Sequence, residues 1–332
     1  MDDTERQLLT EVARRFYLED ESKTELAKSL RVSRFKIARL LQQAREQGIV
    51  TIEINEDEGY RSALSAELAE HLALLECVVV KSGDTEEDNR RRLARAAAAY
   101  ITNHTHEGDV LGFSWGRTLV AIGEHLGELP AATIVQLTGT VGNDFTQSPV
   151  EVIRRIVGRS SVEAMAIFSP LFAASHEAAQ SLRDDTSIRQ TIARYADLTL
   201  AVLSVGSWDP QITQLAAILG KDDLEELAQE GAKAEMAGIF VRADGSVVEA
   251  SVTRRRISVS VSELLNTPRV LAVAGSAEKV GAISAVARSG LITSLVTDDL
   301  TAALLLKQYP RVEGPPPSRR TLDRSRFGGH VG

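Results

Sequence analysis

Between Cys77 and about Gln308, short apolar runs alternate with helical stretches. The runs are "CVVV", "DVLGFS", "TIVQLTG", "AMAIFS", "LTLAVLSVG", "RVLAVAG" and "ITSLVTD". Continuous apolar runs spaced by helices predict strands buried on both faces, hence an α/β fold with a doubly wound, mostly parallel sheet. "GIFVRADGSVVEASV" predicts a hairpin turning at Asp244-Gly245, an appendage to that sheet. Ahead of the first run, "LSAELAEHLALLE" puts Leu64, Leu68, Leu72 and Leu75 on one side of a helix, and "NEDEGYRSAL" before it has the texture of a short acidic linker. The last residues, "EGPPPSRRTLDRSRFGGHVG", are rich in Pro, Gly and Arg and are expected to be disordered.

The first 55 residues follow a different pattern. "SKTELAKSL" predicts a short helix with Leu26, Ala27 and Leu30 apolar, capped by Ser22 with Glu25 three residues on. A turn at Arg31-Val32 leads to a second helix, capped by Ser33, whose apolar positions Ile37, Leu40, Leu41 and Ala44 fall at i, i+3, i+4 and i+7. Its opposite face carries Phe35, Lys36, Arg39, Gln42 and Gln43. Arg and Gln are the side chains that match guanine and adenine edges in the major groove, so the unit has the form of a helix-turn-helix with its second helix as reader. "EQGIVTIEI" adds a turn glycine, Gly48, and a period-2 strand, the wing of a winged variant. Three parts follow: a winged helix-turn-helix domain over 1–55, a larger domain over 56–310, and a tail over 311–332.

Charge sharpens this division. The chain of 332 residues has a net charge of −8, which by itself argues against nucleic-acid binding. Residues 1–54 are neutral, residues 311–332 carry +3, and the central part therefore carries −11. Residues 31–45, "RVSRFKIARLLQQAR", hold five bases and no acid, which confines any phosphate contact to one stripe. No apolar run approaches the roughly 20 residues of a membrane span, and the acidic N-terminus lacks a signal-peptide core. The single cysteine, Cys77, is expected to be a small buried hydrophobe. These features point to a cytoplasmic protein. His104 and His106 in "NHTHEGD" have no third ligand at metal-site spacing, so neither a metal nor a cofactor is expected.

"LGFSWGRT", residues 111–118, contains Gly112-Phe113-Ser114-Trp115-Gly116, which satisfies the G-x-S-x-G of a hydrolase nucleophile elbow. A hydrolase triad would need His176 with Asp144, and no oxyanion loop precedes the motif. The other reading is an anion cradle. Loops that leave the carboxyl ends of parallel strands and open helices present free N–H groups to an anion. Gly116 lets the backbone approach, Ser114 and Thr118 offer hydroxyls, and Arg117 supplies a positive charge. Ser114 is then a ligand-holding residue rather than a nucleophile.

These stretches resemble the SorC family of bacterial sugar-binding transcriptional regulators, with which the deoxyribonucleoside and glycolytic gene regulators are grouped. Leu30, Ser33, Arg34, Ile37, Arg39, Leu40, Leu41, Ala44, Arg45, Gly48, Ile49 and Val50 match the family's N-terminal pattern. Arg31 stands where the family's turn has glycine, and Phe35-Lys36 replace its usual Pro-Thr. "DVLGFSWGRTL" resembles the family's loop for a sugar phosphate, and "IVQLTG" its next motif, bringing Trp115, Thr138 and Gly139 into the candidate site. "AGSAEKVGAI" places Lys279 as the lysine that the resemblance implies touches the effector. "GAKAEMAG" puts Glu235 where an aspartate that contacts sugar hydroxyls is usual, with Ala234 in place of a glycine, and "SVGSW" introduces Trp208. The resemblance implies a double-stranded DNA operator bound through Ser33, Arg34, Phe35, Lys36, Arg39, Gln42 and Gln43. It also implies a phosphorylated sugar or polyol effector, assembly as a dimer or tetramer, and no membrane. The sheet resembles the sugar-isomerase and coenzyme-A-transferase superfold, so a sugar-phosphate isomerase or deaminase with an extra N-terminal module is the alternative.

Overall fold

The computed structural model describes residues 3–50, 58–142, 148–158 and 162–314. The chain divides into two compact units, residues 1–58 and 59–332. In the first, α1 (Asp3–Tyr17), α2 (Lys23–Ser29) and α3 (Arg34–Glu46) close around Leu9, Val12, Leu26, Ile37, Leu41 and Ala44. Ser22 caps α2 reciprocally, accepting from Glu25 N at 3.2 Å while the Glu25 carboxylate accepts from Ser22 N at 2.8 Å. Ser33 caps α3 by accepting from Lys36 N at 3.2 Å. The α2–α3 turn passes through Arg31 at φ +54°, a left-handed conformation that costs a side chain about 1–2 kcal/mol. Of the wing strand expected after Gly48 in "EQGIVTIEI", Ile49 and Val50 lie in a bend and residues 51–54 lie outside the described residues.

The second unit opens on α4 (Glu58–His71), which takes in most of the stretch expected to be a linker and stops earlier than its leucine pattern suggests. Ala73, at φ +52°, ends it, and Leu75 is left exposed. The first half then runs β1 (Glu76–Val80), α5 (Glu86–His104), β2 (Val110–Phe113), α6 (Arg117–His125), β3 (Thr133–Gln136), α7 (Pro149–Val157) and β4 (Glu163–Met165). It continues through α8 (His176–Asp184), α9 (Thr186–Ala193), β5 (Leu200–Ser204), β6 (Gly206–Ser207), α10 (Lys221–Gln229), β7 (Ala232–Met236) and β8 (Ile239–Arg242). The closing elements are α11 (Ser251–Arg254), α12 (Val261–Asn266), β9 (Arg269–Val273), α13 (Val280–Arg288), β10 (Ser294–Asp298) and α14 (Asp299–Gln308).

Each of the seven apolar runs contains one strand of a seven-stranded sheet, ordered β1-β10-β9-β5-β2-β3-β4, in which every pairing is parallel. Alternate residues serve opposite faces. Leu111, Phe113, Ile134, Leu200 and Val202 pack with α5, α6 and α7, whereas Val110, Val135, Ala201 and Leu203 pack with α4, α9 and α13. Gly112 sits where a Cβ would meet Leu137 Cδ2 at 2.5 Å and Leu198 Cδ2 at 2.8 Å, so close packing excludes a side chain there.

The expected turn at Asp244-Gly245 forms, and a second hairpin precedes it. β7 and β8 pair across Ala237-Gly238, both at positive φ, and join β6 in a separate three-stranded antiparallel sheet. Beyond β8 the chain turns again at Asp244-Gly245, and its arms pair through the Val241–Val247 bridge, with Arg242 N donating to Ser246 O and Val248 N to Phe240 O, both at 2.9 Å. Of the tail, residues 311–314 are described: Arg311 pairs with Glu70 at 2.6 Å and Val312 N donates to His71 O. The remainder, 315–332, lies outside the described residues. Arg31→Gly should relieve the strained turn and raise the stability of residues 1–58 by about 0.5–1 kcal/mol, read as a higher urea midpoint for that unit.

Candidate functional site

Chain direction across the sheet reverses between β2 and β5: β3 and β4 follow β2 outward on one side, while β9 and β10 follow β5 on the other. Ligands of doubly wound sheets bind outside the carboxyl ends of the strands at such a reversal. A cavity of about 740 Å³ lies there, lined by the loops after β1, β2, β5, β9 and β10 and by Gln211–Gln214 and Glu235. Its size falls within the ordinary range for small-molecule sites.

Helices begin around this cavity, and their N-termini are treated in two ways. α5 is capped by Thr85 and carries Glu86, Glu87 and Asp88 in its first turn. α14 is capped by Asp298, which accepts from Thr301 N at 2.8 Å. Both partial positive charges are already met by carboxylates. α6 instead starts at Gly116, which gives no side-chain cap, and has no acid in its first turn. The 3-10 turn Ala277–Lys279 that leads into α13 likewise starts without a side-chain cap, at Ser276. Arg117 and Lys279 stand beside these two ends, but the turn into α13 carries Glu278, so the helix start at the cavity with neither a side-chain cap nor an acid is that of α6.

Gly116 and Ser276 share one backbone conformation, φ/ψ of 135°/152° and 121°/150°. That region is essentially reserved for glycine, and a serine held there carries of order 1–3 kcal/mol of strain. Neighbouring close approaches hold the loops in place. A Cβ on Gly116 would meet Ser204 Oγ at 2.9 Å, and one on Gly275 would meet Asp298 Oδ2 at 2.2 Å. Ser276 N donates to Thr301 Oγ1 at 2.9 Å. Asp298 ties the loop after β1 to this floor, accepting from Asn89 Nδ2 at 3.0 Å and Ser82 Oγ at 3.2 Å.

Arg117 is half exposed and pairs with Glu86 at 3.1 Å. Lys279 is half-buried, and its Nζ donates to Val205 O at 3.0 Å. Burial lowers its pKa, and the nearby Arg117 acts in the same direction while the Glu235 carboxylate opposes it. Glu235, on β7 opposite Gly206 of β6, is 2% exposed. Its Oε1 accepts from Thr213 Oγ1 at 3.0 Å, and its Oε2 has no hydrogen-bond partner in the chain. Burial pushes the Glu235 carboxyl up to about 7, against the Thr213 hydroxyl, the Gly238 N–H and Lys279. An unsatisfied buried carboxylate beside a lysine suits a ligand that brings hydroxyl donors.

Of the residues expected at the site, Trp115, Gly116, Arg117, Thr118, Glu235 and Lys279 line the cavity together. Ser114, Thr138 and Gly139 do not. Ser114 extends the sheet, its N–H donating to Val202 O, and its hydroxyl is sealed inside at 1% exposure with no hydrogen-bond partner. A nucleophile elbow requires an exposed hydroxyl bonded to its base, so Ser114 lacks both properties and also fails as a ligand-facing hydroxyl. Asp144 lies outside the described residues. Thr138 bridges to Ser258, and a Cβ on Gly139 would strike Pro170 O at 2.4 Å, so these two serve chain crossing rather than the cavity. Trp115 also packs into a cluster with Trp208 and Phe240, the latter two edge to face at 4.9 Å. Sequence reasoning passed over Ser82, Asn89, Thr213 and Ser276. The loop "KSGDTEED", a glycine turn between an apolar run and a helix, carried the same signal as the loops that were recognised.

In the first unit, Ser33, Arg34, Phe35, Lys36, Arg39 and Gln42 are exposed along α3 and Gln43 is half-buried. Gln42 Nε2 donates to Glu46 at 2.8 Å. Among the described residues, no group of three His, Cys, Asp or Glu could hold a metal, and no helix is long and apolar enough to cross a membrane.

Residues 59–307 match a family described as "Putative sugar-binding domain". The erythritol catabolism regulatory protein EryD of Brucella abortus (strain 2308) is 30% identical over 288 residues, covering 85% of this chain and 91% of that protein. The chain belongs to the SorC-type family of sugar-binding transcriptional regulators. The sorbitol operon regulator of Klebsiella pneumoniae is 28% identical over 317 residues, covering 90% of this chain and 98% of that one. The fold is shared with the full-length crystal structure of the sorbitol operon regulator SorC from Klebsiella pneumoniae, at a TM-score of 0.76 and 23% identity over 92% of this chain and 99% of that chain. This SorC-type chain is a transcriptional regulator and not an enzyme, so the isomerase alternative falls.

Glu235 gains a proton more readily in the folded chain than in the unfolded one, where its pKa is near 4.5. The stability it contributes is greatest below pH 4.5 and is lost as pH rises through about 7. Glu235→Gln should therefore match the parent near pH 5 and exceed it by on the order of 3 kcal/mol near pH 8. Urea unfolding at the two pH values measures this.

Proposed function

We propose that this regulator binds a two-fold-symmetric DNA operator through α3 and that a phosphorylated sugar or polyol in the 740 Å³ cavity controls that binding. The observation that carries the effector reading is the meeting, in one cavity, of an uncapped α6 N-terminus, Arg117 and Lys279 with the buried Glu235 carboxylate. The cations and free N–H groups suit a phosphate, and the carboxylate accepts from hydroxyls. Relatives named for erythritol catabolism and for a sorbitol operon support a polyol skeleton. Trp115, Gly116 and Thr118 complete the phosphate end, and Thr213 and Ser276 join the site from the facing loops.

On the DNA side, Ser33 and Arg34 sit at the N-terminus of α3 beside the backbone. Phe35, Lys36, Arg39, Gln42 and Gln43 follow along its outer face. Arg39 extends from the middle of that face toward base edges, as a reader-helix arginine does when it pairs with guanine. Operator dyads mirror protein two-folds, so the chain works as a dimer or tetramer joined through residues 56–310. Residues 1–55 form its winged DNA-binding domain. The setting is the cytoplasm.

Arg39→Ala should weaken specific operator binding by about 1–3 kcal/mol, while Arg34→Ala should weaken all DNA binding and flatten its salt dependence. Wild-type binding by both variants, in anisotropy titrations of labelled upstream DNA, would remove α3 from the interface. In the same titrations, Arg117→Ala and Lys279→Ala should keep operator binding but shift the response to a sugar phosphate ten-fold or more, since a charge-assisted contact contributes about 1.5–3 kcal/mol. An unchanged response by Arg117→Ala would put the ligand elsewhere.

A further inference from the structure

Phe35 is the most exposed large hydrophobic side chain among the described residues, at 88%. It occupies the first turn of α3, between Arg34 and Lys36, which are also exposed. No acid lies in that turn, and residues 31–45 hold five bases and no acid. A phenyl ring left in water on a helix otherwise built to meet a polyanion calls for an apolar partner on that polyanion. Phosphates, sugars and purine edges offer hydrogen-bonding atoms. The major groove offers one apolar group, the C5-methyl of thymine.

We propose that Phe35 reads a thymine methyl in the operator. The inference rests on the assignment of α3 as the reader and adds a base preference to it. Phe35 precedes Arg39 by four residues, one helical turn, which puts the two side chains on one ridge about 5–6 Å apart along the axis. Base steps along one strand are about 3.4 Å. The thymine therefore lies one or two steps from the base pair contacted by Arg39. Phe35 thus contributes to sequence preference, while the neighbouring Arg34 and Lys36 contribute affinity that is blind to sequence.

The test uses the full-length chain and a duplex enriched by it from a randomised library. Thymines of that duplex are replaced with deoxyuridine, which removes the methyl and leaves pairing intact. One thymine position per half-site should respond, each replacement weakening binding about four-fold, the effect of one methyl leaving an apolar contact. Phe35→Ala should bind the thymine and deoxyuridine duplexes equally, and Phe35→Leu should keep part of the difference. Phe35 is exposed, so its replacement leaves the core of residues 1–50 untouched, and an unchanged melting curve verifies this. Equal binding of both duplexes by the wild type, or a surviving difference in Phe35→Ala, overturns the proposal. A shift in sedimentation on Phe35→Ala would assign the ring to a contact between copies and overturn it too. Arg39→Ala separates the two levels: if it loses affinity for a duplex insensitive to deoxyuridine, only the thymine inference fails, and if it binds normally, α3 is not the reader.

Discussion

A parallel sheet covered by helices on both faces has its strand ends as the place where polar backbone meets a ligand. Each strand that finishes inside the core must hand the chain to a helix, and the connecting loop carries N–H groups that no neighbour accepts. Here β1, β2, β9 and β10 all send their loops to the same edge. The reversal of strand order between β2 and β5 opens a gap that no crossover fills. Everything that makes the cavity selective follows from which helix starts are already neutralised. Thr85 with its acids, Asp298 and Glu278 answer three of them, and Gly116 leaves the start of α6 open.

Strain and close approach hold the loops at these helix starts in place. Gly116 and Ser276 adopt the same conformation before Arg117 and before the turn to Lys279, so the two halves of the cradle are built alike. Asp298 is the brace. It caps α14, receives Asn89 and Ser82 from the first crossover, and presses on Gly275. Because that carboxylate is satisfied, it positions the loops without competing for a ligand. Glu235 is the opposite case, buried with one oxygen open. A closed polar network sets shape, and an open one is available to chemistry.

The N-terminal unit achieves its contrast by sorting charge. Eight of the ten acids of residues 1–54 lie before residue 26 and five of their ten bases lie within 31–45, so a stretch of zero net charge presents one basic face along α3. α1, which pattern reading passed over, supplies Leu9, Val12 and Ala13 to the small core and supports α3 from behind. With Ile37, Leu40, Leu41 and Ala44 committed to that core, the helix has one rotation available, and Arg39 and Phe35 must face outward.

The sequence by itself determined the alternation of buried runs and helices, the seven strands, both helix caps in the N-terminal unit, and the exposed basic face of α3. Each is a local or periodic property, set by propensity, capping and the 2.0 and 3.6 periods. The extent of α4 and the β7–β8 turn were less legible, because Ala73 and Ala237 take positive φ only where packing imposes it. Motif spacing brought Trp115, Gly116, Arg117, Thr118, Glu235 and Lys279 into view as candidates. It gave equal weight to Ser114, Thr138 and Gly139, whose side chains or close approaches belong to the interior. Which face of a strand end looks into a cavity depends on the neighbouring strand and the crossover above it. Only the tertiary structure, by placing Val202 beside Ser114 and Pro170 beside Gly139, decided that these three pack while Arg117 and Lys279 meet in the cavity.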